Sequence, residues 1–352
     1  MAYDLQWEGF YQYPAVTGGG VNMTGTWLTS GESGSSFVAG YLAGTRALNV
    51  TASAGGGSTT LVHVWPHFAG PHTVGCIGFR FYVPQVEDTS RNNNYMQVHN
   101  SLGQTQYYFT ISDLGELILN SAAGVELIRS DRVLVPGAYS FVELRYDVQD
   151  VTGRLSLTID GETQLDYVGD TNFQAQADIE RVVLRSTRSI GGVLQVYGQR
   201  YQDIYWLAGE YVKLGDSRVY HRLMEADETV QFTPLAGTNH EMVDESACDG
   251  DATYNSSSTI GHRDVFTVQN LDFVPSAIHG VEVFVAARKD DVADREIKYG
   301  FRNDSVDFGE KNYFLASTYT FTHKYTNKHP VTGVAWTPSE INSLRAFYEL
   351  VS

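Results

Sequence analysis

Short segments in which apolar and polar residues alternate constrain this fold more than any other feature of the sequence. In the segment FVELRYDV, every second residue is apolar and the residues between them are Glu, Arg and Asp. A period of two places successive side chains on opposite sides of a β-strand. The segment therefore predicts a strand with one solvent-exposed face. Its buried face is predicted to comprise Val142, Leu144, Tyr146 and Val148.

The segment GRLSLTIDGETQLDYVG that follows has the pattern of a β-hairpin. A two-residue type I′ turn at its Asp-Gly pair would place Leu165 on the wrong face of the sheet. A three-residue loop, Asp160–Glu162, instead pairs Leu157 with Leu165 and Leu155 with Tyr167. The sequence therefore predicts a bulged hairpin. Its leucine and tyrosine face is predicted to be buried, and the opposite, polar face to be exposed to solvent.

Similar short strands recur through the first part of the chain, between turns rich in Gly, Ser and Asn. Many short strands with such turns are typical of a two-sheet sandwich or jelly roll. A length of 352 residues favours two domains, since one domain accounts for about 150 residues. After the segment GEYVKLGDS, the sequence becomes more polar and loses its apolar periodicity. We therefore predict an antiparallel jelly roll over residues 1–210 and a smaller β domain over residues 211–352.

One helix is predicted, at the carboxyl end of the second domain. Thr337 and Glu340 have the spacing of a capping box, and Pro338 occupies the first helical position. Apolar residues follow at helical spacing, which predicts a short terminal helix with one packed stripe. This stripe comprises Ile341, Leu344, Phe347 and Tyr348.

Charge and targeting signals restrict the partners. A formal net charge of −17 argues against nucleic acid and against an anionic membrane surface. The amino-terminal residues show no basic segment followed by an apolar run, so we expect no signal peptide and no membrane insertion. Cys76 and Cys248 lie in different predicted domains, which disfavours a disulfide framework. The chain is therefore expected to fold in a cytoplasm.

The order of several strand segments resembles a known family. The series GFRFYV, QYYFTISDLGELIL, YSFVELRYDVQDVTGRLSLTIDGETQLDY, ERVVLRS and YQDIYWLA resembles the laminin-G-like, concanavalin A-like jelly roll. The block from GDSRVYHRL to AWTPSEINSLRAFYEL resembles the companion domain that follows this jelly roll in virion proteins of tailed bacteriophages.

The resemblance implies a structural component of a bacteriophage particle, located on a tail, a fibre or the capsid surface. It implies a protein that is not an enzyme, is made in the host cytoplasm and is incorporated into the virion. The implied partners are other virion proteins, further copies of the same chain as a homo-oligomer, and a host surface polysaccharide.

A carbohydrate-binding lectin module is the first alternative function. Sugar rings stack on aromatic side chains, and their hydroxyls form hydrogen bonds with amides and carboxylates. The stretch RNNNYMQVHNSLGQTQYY supplies both groups around two turns. Turn geometry and cross-strand packing would explain the same residues without a ligand. The candidate glycan contacts are Asn92, Asn94, Tyr95, Gln106 and Tyr107.

A calcium site in the second domain is a cofactor site that the sequence suggests. Asp244, Glu245, Asp249 and Asp251 crowd an irregular segment of the second domain. Oxygen ligands on a loop can bind calcium, but their spacing does not fit an EF-hand. Clustered acids are also common on solvated loops.

A glycoside hydrolase related to laminarinases is the second alternative. Such enzymes place two glutamates close together on one strand of this fold. The nearest match is EADET, where Glu225, Asp227 and Glu228 are followed by Val230 at the position that the second glutamate requires. The motif also lies outside the predicted jelly roll, so no catalytic residue is predicted.

Overall fold

The chain consists of two compact units. The first unit ends at Val219, and the second runs from Tyr220 to Ser352, so residues 211–219 belong to the first unit and not, as predicted, to the second domain. No helix in the described ranges has the length and apolarity needed to cross a bilayer. The computed structural model describes residues 72–84, 95–112, 114–184, 198–245, 248–303 and 306–352, together with five strands among the first 71 residues.

The first unit is a sandwich of two antiparallel sheets. Its described strands are β1 (Asp4–Glu8), β2 (Leu28–Ser30), β3 (Ser35–Ala39), β4 (Arg46–Thr51), β5 (Val62–Pro66), β6 (Val74–Tyr82), β7 (Met96–His99), β8 (Thr105–Ile111), β9 (Glu116–Ser121), β10 (Glu126–Val133), β11 (Tyr139–Asp147), β12 (Gly153–Ile159), β13 (Glu162–Gly169), β14 (Arg181–Leu184) and β15 (Gly198–Ala208).

The larger sheet has the strand order β13-β12-β11-β6-β15-β4-β3. Along the same edge of β15, β4 pairs with its first residues and β1 pairs with its last residues. The second sheet has the order β10-β9-β8-β7-β14-β5-β2. Neighbouring strands that are distant in sequence, such as β6 and β15, show that the chain crosses repeatedly between sheets. The all-β, two-sheet prediction is confirmed.

The core between the two sheets is rich in aromatic side chains. Phe79 of the larger sheet contacts Phe109 of the second sheet edge to face, with ring centroids 6.3 Å apart. Phe81 of the larger sheet also contacts Tyr95, which directly precedes β7 of the second sheet, edge to face with centroids 5.8 Å apart. Aromatic pairs in these geometries contribute about 0.5–1.5 kcal/mol beyond the burial of their area. They therefore help to hold the two layers together.

The predicted inner face of β11 and of the residue that follows it is confirmed, because the four apolar residues Val142, Leu144, Tyr146 and Val148 are all buried. The predicted solvent-exposed face of this region is confirmed at Arg154 and Asp160 but is wrong at its centre. Glu143 is 1% exposed, Thr158 is 1% exposed and Arg80 is 3% exposed. These three side chains lie on the side of the sheet that faces away from the sandwich core.

The predicted hairpin forms, but its turn differs from the prediction. Leu157 pairs with Leu165 and Leu155 with Tyr167, as expected. The turn contains two residues, and both of them, Asp160 and Gly161, have the positive φ that a type I′ turn requires. The extra residue forms a bulge within the ladder, beyond Leu157, and this bulge restores the register.

The second unit contains one five-stranded sheet in the order β16-β19-β24-β21-β22, and two pairs of strands, β17-β18 and β20-β23. Its described elements are β16 (Met224–Thr229), β17 (Thr233–Pro234), a 3₁₀ turn (His240–Met242), β18 (Asn255–Ser256), β19 (Arg263–Val268), β20 (Val281–Ala287), β21 (Glu296–Asn303), β22 (Val306–Phe314), β23 (Thr320–Thr326), α1 (Pro338–Asn342) and β24 (Arg345–Leu350).

The terminal helix is much shorter than predicted. The capping box of Thr337 and Glu340 is present, but helix α1 ends at Asn342. The residues that follow form β24, the central strand of the sheet. Ala346 packs into the core, while Phe347 contacts the Arg263 guanidinium at 3.8 Å on the other side. A strand with apolar residues on both faces has no clear period of two, and its sequence was therefore mistaken for a helix.

The core of the first unit can be tested at one buried hydrogen bond. Trp206 Nε1 donates to the Tyr146 hydroxyl at 2.7 Å, and both side chains are buried. Tyr146→Phe removes the hydroxyl that accepts from the buried indole N–H, and we expect the free energy of unfolding to fall by about 1–3 kcal/mol. Denaturant unfolding measures this loss. Tyr167→Phe removes a hydroxyl bonded at the surface to Asp170 O, and an equal loss in both variants would contradict the account.

Candidate functional site

The outer side of the larger sheet carries a group of buried polar side chains. Gly78 of β6 lies opposite Glu143 of β11 and Tyr205 of β15. A side chain at Gly78 would collide with the Tyr205 ring, so the glycine gives that ring room to lie across β6. The Tyr205 hydroxyl thereby reaches the Glu143 carboxylate and donates to it. We call this group the buried polar face, and it comprises the buried side chains of Arg80, Glu143, Thr158, Asp203 and Tyr205 together with the partly buried Arg145.

Glu143 is the centre of this face. Its Oε1 atom accepts hydrogen bonds from the Tyr205 hydroxyl and from the Gly215 amide, the latter at 2.8 Å. Its Oε2 atom is buried and has no hydrogen-bond partner among the described residues. Thr158, its neighbour on β12, likewise has a buried Oγ1 without a described partner. Buried polar atoms of this kind normally bind an ordered water or a ligand.

Tyr205 and Cys76 adjoin the carboxylate. The Tyr205 hydroxyl lies 3.3 Å from Cys76 Sγ. Burial raises the pKa of the Tyr205 hydroxyl, and burial also raises the pKa of the Cys76 thiol. Both groups are therefore protonated near neutral pH, and the Tyr205 hydroxyl acts as a hydrogen-bond donor in this state.

Arg80 and Asp203 form a buried ion pair on the same face. Arg80 Nε lies 3.1 Å from Asp203 Oδ2, and another guanidinium nitrogen binds Asp216. Asp203 lies at a bulge in β15 and has a positive φ of 49°. Burial raises the pKa of the Asp203 carboxyl to about 6, although the Val219 amide and Arg80 act to lower it.

Arg145 extends the face toward β12 and β13. Its Nη2 atom donates to Ser156 Oγ at 2.7 Å and lies 3.7 Å from Asp166 Oδ1. The guanidinium lies over the Tyr211 ring, 4.9 Å from its centroid. Arg145 Nε is buried and has no hydrogen-bond partner within the part of the chain that the structure describes. It is a third polar atom available to a ligand.

The buried polar face is covered by the chain that follows β15. Gly209 has a φ of 90°, and there the backbone turns back over the sheet. We call residues 209–219 the covering segment. Its amides donate to side chains of the face: Leu214 N to the Tyr205 hydroxyl at 3.2 Å, Gly215 N to Glu143 Oε1 at 2.8 Å, and Val219 N to Asp203 Oδ1 at 3.2 Å.

The glycan contacts predicted from the sequence do not form a surface groove. Tyr95 and Tyr107 are buried in the core, because they lie on the side of the second sheet that faces the larger sheet. The Tyr107 hydroxyl donates to the Thr171 carbonyl. Gln106 is buried and donates to Gln176 O at 2.5 Å. Asn92 and Asn94 lie outside the described residues.

The predicted calcium ligands are engaged with protein groups. Glu245 and Asp249 both lie within hydrogen-bond distance of the single Thr253 hydroxyl. Asp251 binds Arg288 at 3.0 Å, and this pair lowers the pKa of the Asp251 carboxyl. Asp244 lies in the same segment. Among the described residues, no three His, Cys, Asp or Glu side chains are grouped closely enough to hold a metal ion, so the calcium prediction is not supported.

The EADET motif has structural roles. Asp227 accepts from the His240 amide at 2.7 Å and from the Asn239 amide at 3.2 Å. Glu228 binds Arg345 of β24. These carboxylates bind β16 to the 3₁₀ turn and to β24. The laminarinase-like pair of glutamates is absent from this strand.

Sequence reasoning missed the buried polar face because it placed Glu143 and Arg145 on a wet side of the sheet. One signal was available: Asp203 directly precedes the continuous apolar run Ile204–Ala208 of a strand, where a charge is costly unless it is paired. The return of the chain over the sheet, which buries these groups, has no local sequence signature.

Comparisons with known proteins give structural likenesses alone. A scan against protein-family models and a search of the curated proteins find no match. The endo-β-1,4-glucuronan lyase of the fungus Trichoderma reesei aligns at 14% identity over 57% of this chain and 98% of its own, with a TM-score of 0.45. The alginate lyase Aly36B aligns at 14% identity over 59% of this chain and 98% of its own, with a TM-score of 0.42.

A third structure is the alginate lyase vAL-1 from Chlorella virus, at 11% identity over 52% of this chain and 93% of its own, with a TM-score of 0.39. These alignments correct the prediction that the chain is not an enzyme, because the similar structures are themselves enzymes. One fold supports both catalysis and binding. At these identities the likeness assigns no activity and no catalytic residue to this chain.

The pKa of Asp203 gives a test of the buried polar face. A rise in the folded state from 3.8 to about 6 corresponds to about 3 kcal/mol. The protonated form is favoured in the folded state, so this stability is present below about pH 4 and is lost as the pH rises through 6.

Asp203→Asn removes this titration, and asparagine tolerates the left-handed backbone. We expect the variant to gain about 3 kcal/mol in free energy of unfolding relative to the wild type between about pH 4 and pH 7. Denaturant unfolding across this pH range measures the difference. A difference that stays constant with pH would show that Asp203 titrates normally.

Proposed function

We propose that the first unit binds carbohydrate at the buried polar face. The observation that carries this proposal is the set of buried polar atoms without described partners: Glu143 Oε2, Thr158 Oγ1 and Arg145 Nε. A sugar hydroxyl can donate to a carboxylate and accept from a guanidinium or a threonine hydroxyl at the same time. The three atoms therefore match the hydrogen-bonding chemistry of one sugar unit.

A second buried carboxylate shows what a purely structural acid looks like in this chain. Asp264 of the second unit is fully buried, and both of its oxygens are bonded. Oδ1 accepts from the amides of Gln231 and Phe232, and Oδ2 accepts from Asn239 and from the Tyr348 hydroxyl. Glu143, in contrast, leaves one oxygen unbonded. This difference supports a ligand-binding role for Glu143.

Aromatic rings continue the face beyond Arg80. Tyr82 and Tyr139 are cross-strand neighbours on β6 and β11, with ring centroids 5.1 Å apart. Arg200 lies over the Tyr82 ring at 4.4 Å. Both tyrosines are half-buried, so part of each ring is open to solvent. Apolar faces of sugars stack on such rings, and the pair provides a second contact for an extended glycan.

The place of this protein in a bacteriophage particle is a separate hypothesis. The resemblance of the sequence supports it, together with the partners it implies: other virion proteins, further copies of the chain and a host polysaccharide. Mass spectrometry of purified particles tests it independently of carbohydrate binding.

The binding proposal is tested with the full chain and a panel of neutral and acidic polysaccharides. Glu143→Gln keeps an acceptor for Tyr205 and Gly215 but removes the charge at Oε2. We expect binding to weaken by about tenfold or more, since a hydrogen bond to a charged group contributes about 1.5–3 kcal/mol. Isothermal titration calorimetry measures the affinity, and circular dichroism verifies the fold.

Asp131→Asn is the matched control, because Asp131 is an exposed carboxylate of β10 in the second sheet. It is expected to bind as the wild type does. Unchanged binding by folded Glu143→Gln, or a panel without any ligand, would refute the proposal. Reducing ends and unsaturated sugars are measured in the same mixtures, and an activity that Glu143→Gln abolishes would add catalysis to binding.

A further inference from the structure

The covering segment is attached to the face in an unusual way. It follows an irregular path without strand pairing. The amides of Leu214, Gly215 and Val219 donate to side chains of the face, not to the sheet backbone. The segment thus bonds Glu143 through Oε1, the oxygen next to the unbonded Oε2. A ligand that reaches Oε2 must therefore compete with the segment for access to this carboxylate.

Asp216 is the charged contact of this segment. Its side chain is 46% exposed, while the Arg80 side chain that it binds is 4% exposed. Arg218 lies 3.8 Å from the same carboxylate. A carboxylate that reaches in from solvent to a buried guanidinium has the geometry with which a free carboxylate ligand would be bound.

Exchange of one carboxylate for another is energetically reasonable here. Simple removal of Asp216 would take from the buried Arg80 one carboxylate partner and one charge-assisted hydrogen bond. A neutral sugar would incur this cost, whereas the carboxylate of an acidic sugar would replace the lost interaction. The net charge of −17 opposes an anion at long range, but the Debye length is only about 10 Å at 0.1 M salt.

We propose that the covering segment is an internal occupant of the carbohydrate site and that Asp216 stands in for the carboxylate of an acidic, uronate-containing glycan. Binding displaces the segment, and the uronate carboxylate takes the place of Asp216 on Arg80. This inference rests on the proposed function and names the ligand class and the group that the ligand must displace.

The first test compares uronate oligosaccharides with the same oligosaccharides after reduction of their carboxyl groups. Each pair has one backbone and differs in charge. We expect the full chain to bind the acidic form, and the reduced form to bind at least about tenfold more weakly, as a lost charge-assisted hydrogen bond implies. Equal binding of the two forms would overturn the inference and leave the proposed function intact. No binding by any glycan, acidic or neutral, would overturn both.

The second test follows the segment itself by hydrogen exchange of the wild-type chain. Displacement frees the amides of Leu214 and Gly215, so a peptide covering residues 210–219 is expected to exchange faster when the acidic ligand is bound. Slower or unchanged exchange in the saturated complex would show that the segment stays in place, and would overturn the inference.

The third test uses Asp216→Asn, which removes the competing charge. We expect its affinity for the acidic oligosaccharide to rise several-fold and its affinity for the reduced form to change less. Asp131→Asn carries the same change of charge on the second sheet and is expected to leave both affinities unchanged. If folded Asp216→Asn binds the acidic oligosaccharide more weakly than the wild type does, the inference is overturned. If this variant does not fold, the hydrogen-exchange experiment on the wild-type chain decides between the two outcomes.

Discussion

The burial of charged side chains on the outer side of one sheet is the constraint on which the first unit depends. Arg80, Asp203 and Glu143 lie where water would normally solvate them. A buried charge is tolerated only with partners. Asp203 and Asp216 supply them for Arg80, and Tyr205 and Gly215 supply them for Glu143. The buried charges of the sheet are therefore stabilised in part by groups of the covering segment.

This constraint connects local sequence to the site. The absence of a side chain at Gly78 lets the Tyr205 ring cross β6, and the bulge in β15 turns Asp203 toward Arg80. The aromatic core beneath holds the strands at a fixed spacing, so the polar groups above it are preorganised. Preorganised polar groups with spare hydrogen-bonding capacity are what carbohydrate recognition requires.

The alternating pattern of the sequence was sufficient for the sandwich and for the inner face of β11, because both depend on a local period. The two leucine and tyrosine pairs of the hairpin were also found, since their register follows from the same period. Three features depended on distant parts of the chain and were missed. Tyr107 belongs to the core, Phe347 lies on a strand between two partners, and Glu143 is covered by residues more than 60 positions away.

The most direct measurement is a crystal structure of the full chain with an oligosaccharide that it binds. The account predicts a sugar hydroxyl within hydrogen-bond distance of Glu143 Oε2, a sugar carboxylate on Arg80, and Gly215 N no longer on Glu143. A sugar bound on the outer side of β7, β8 and β9, with the covering segment unmoved, would contradict the account.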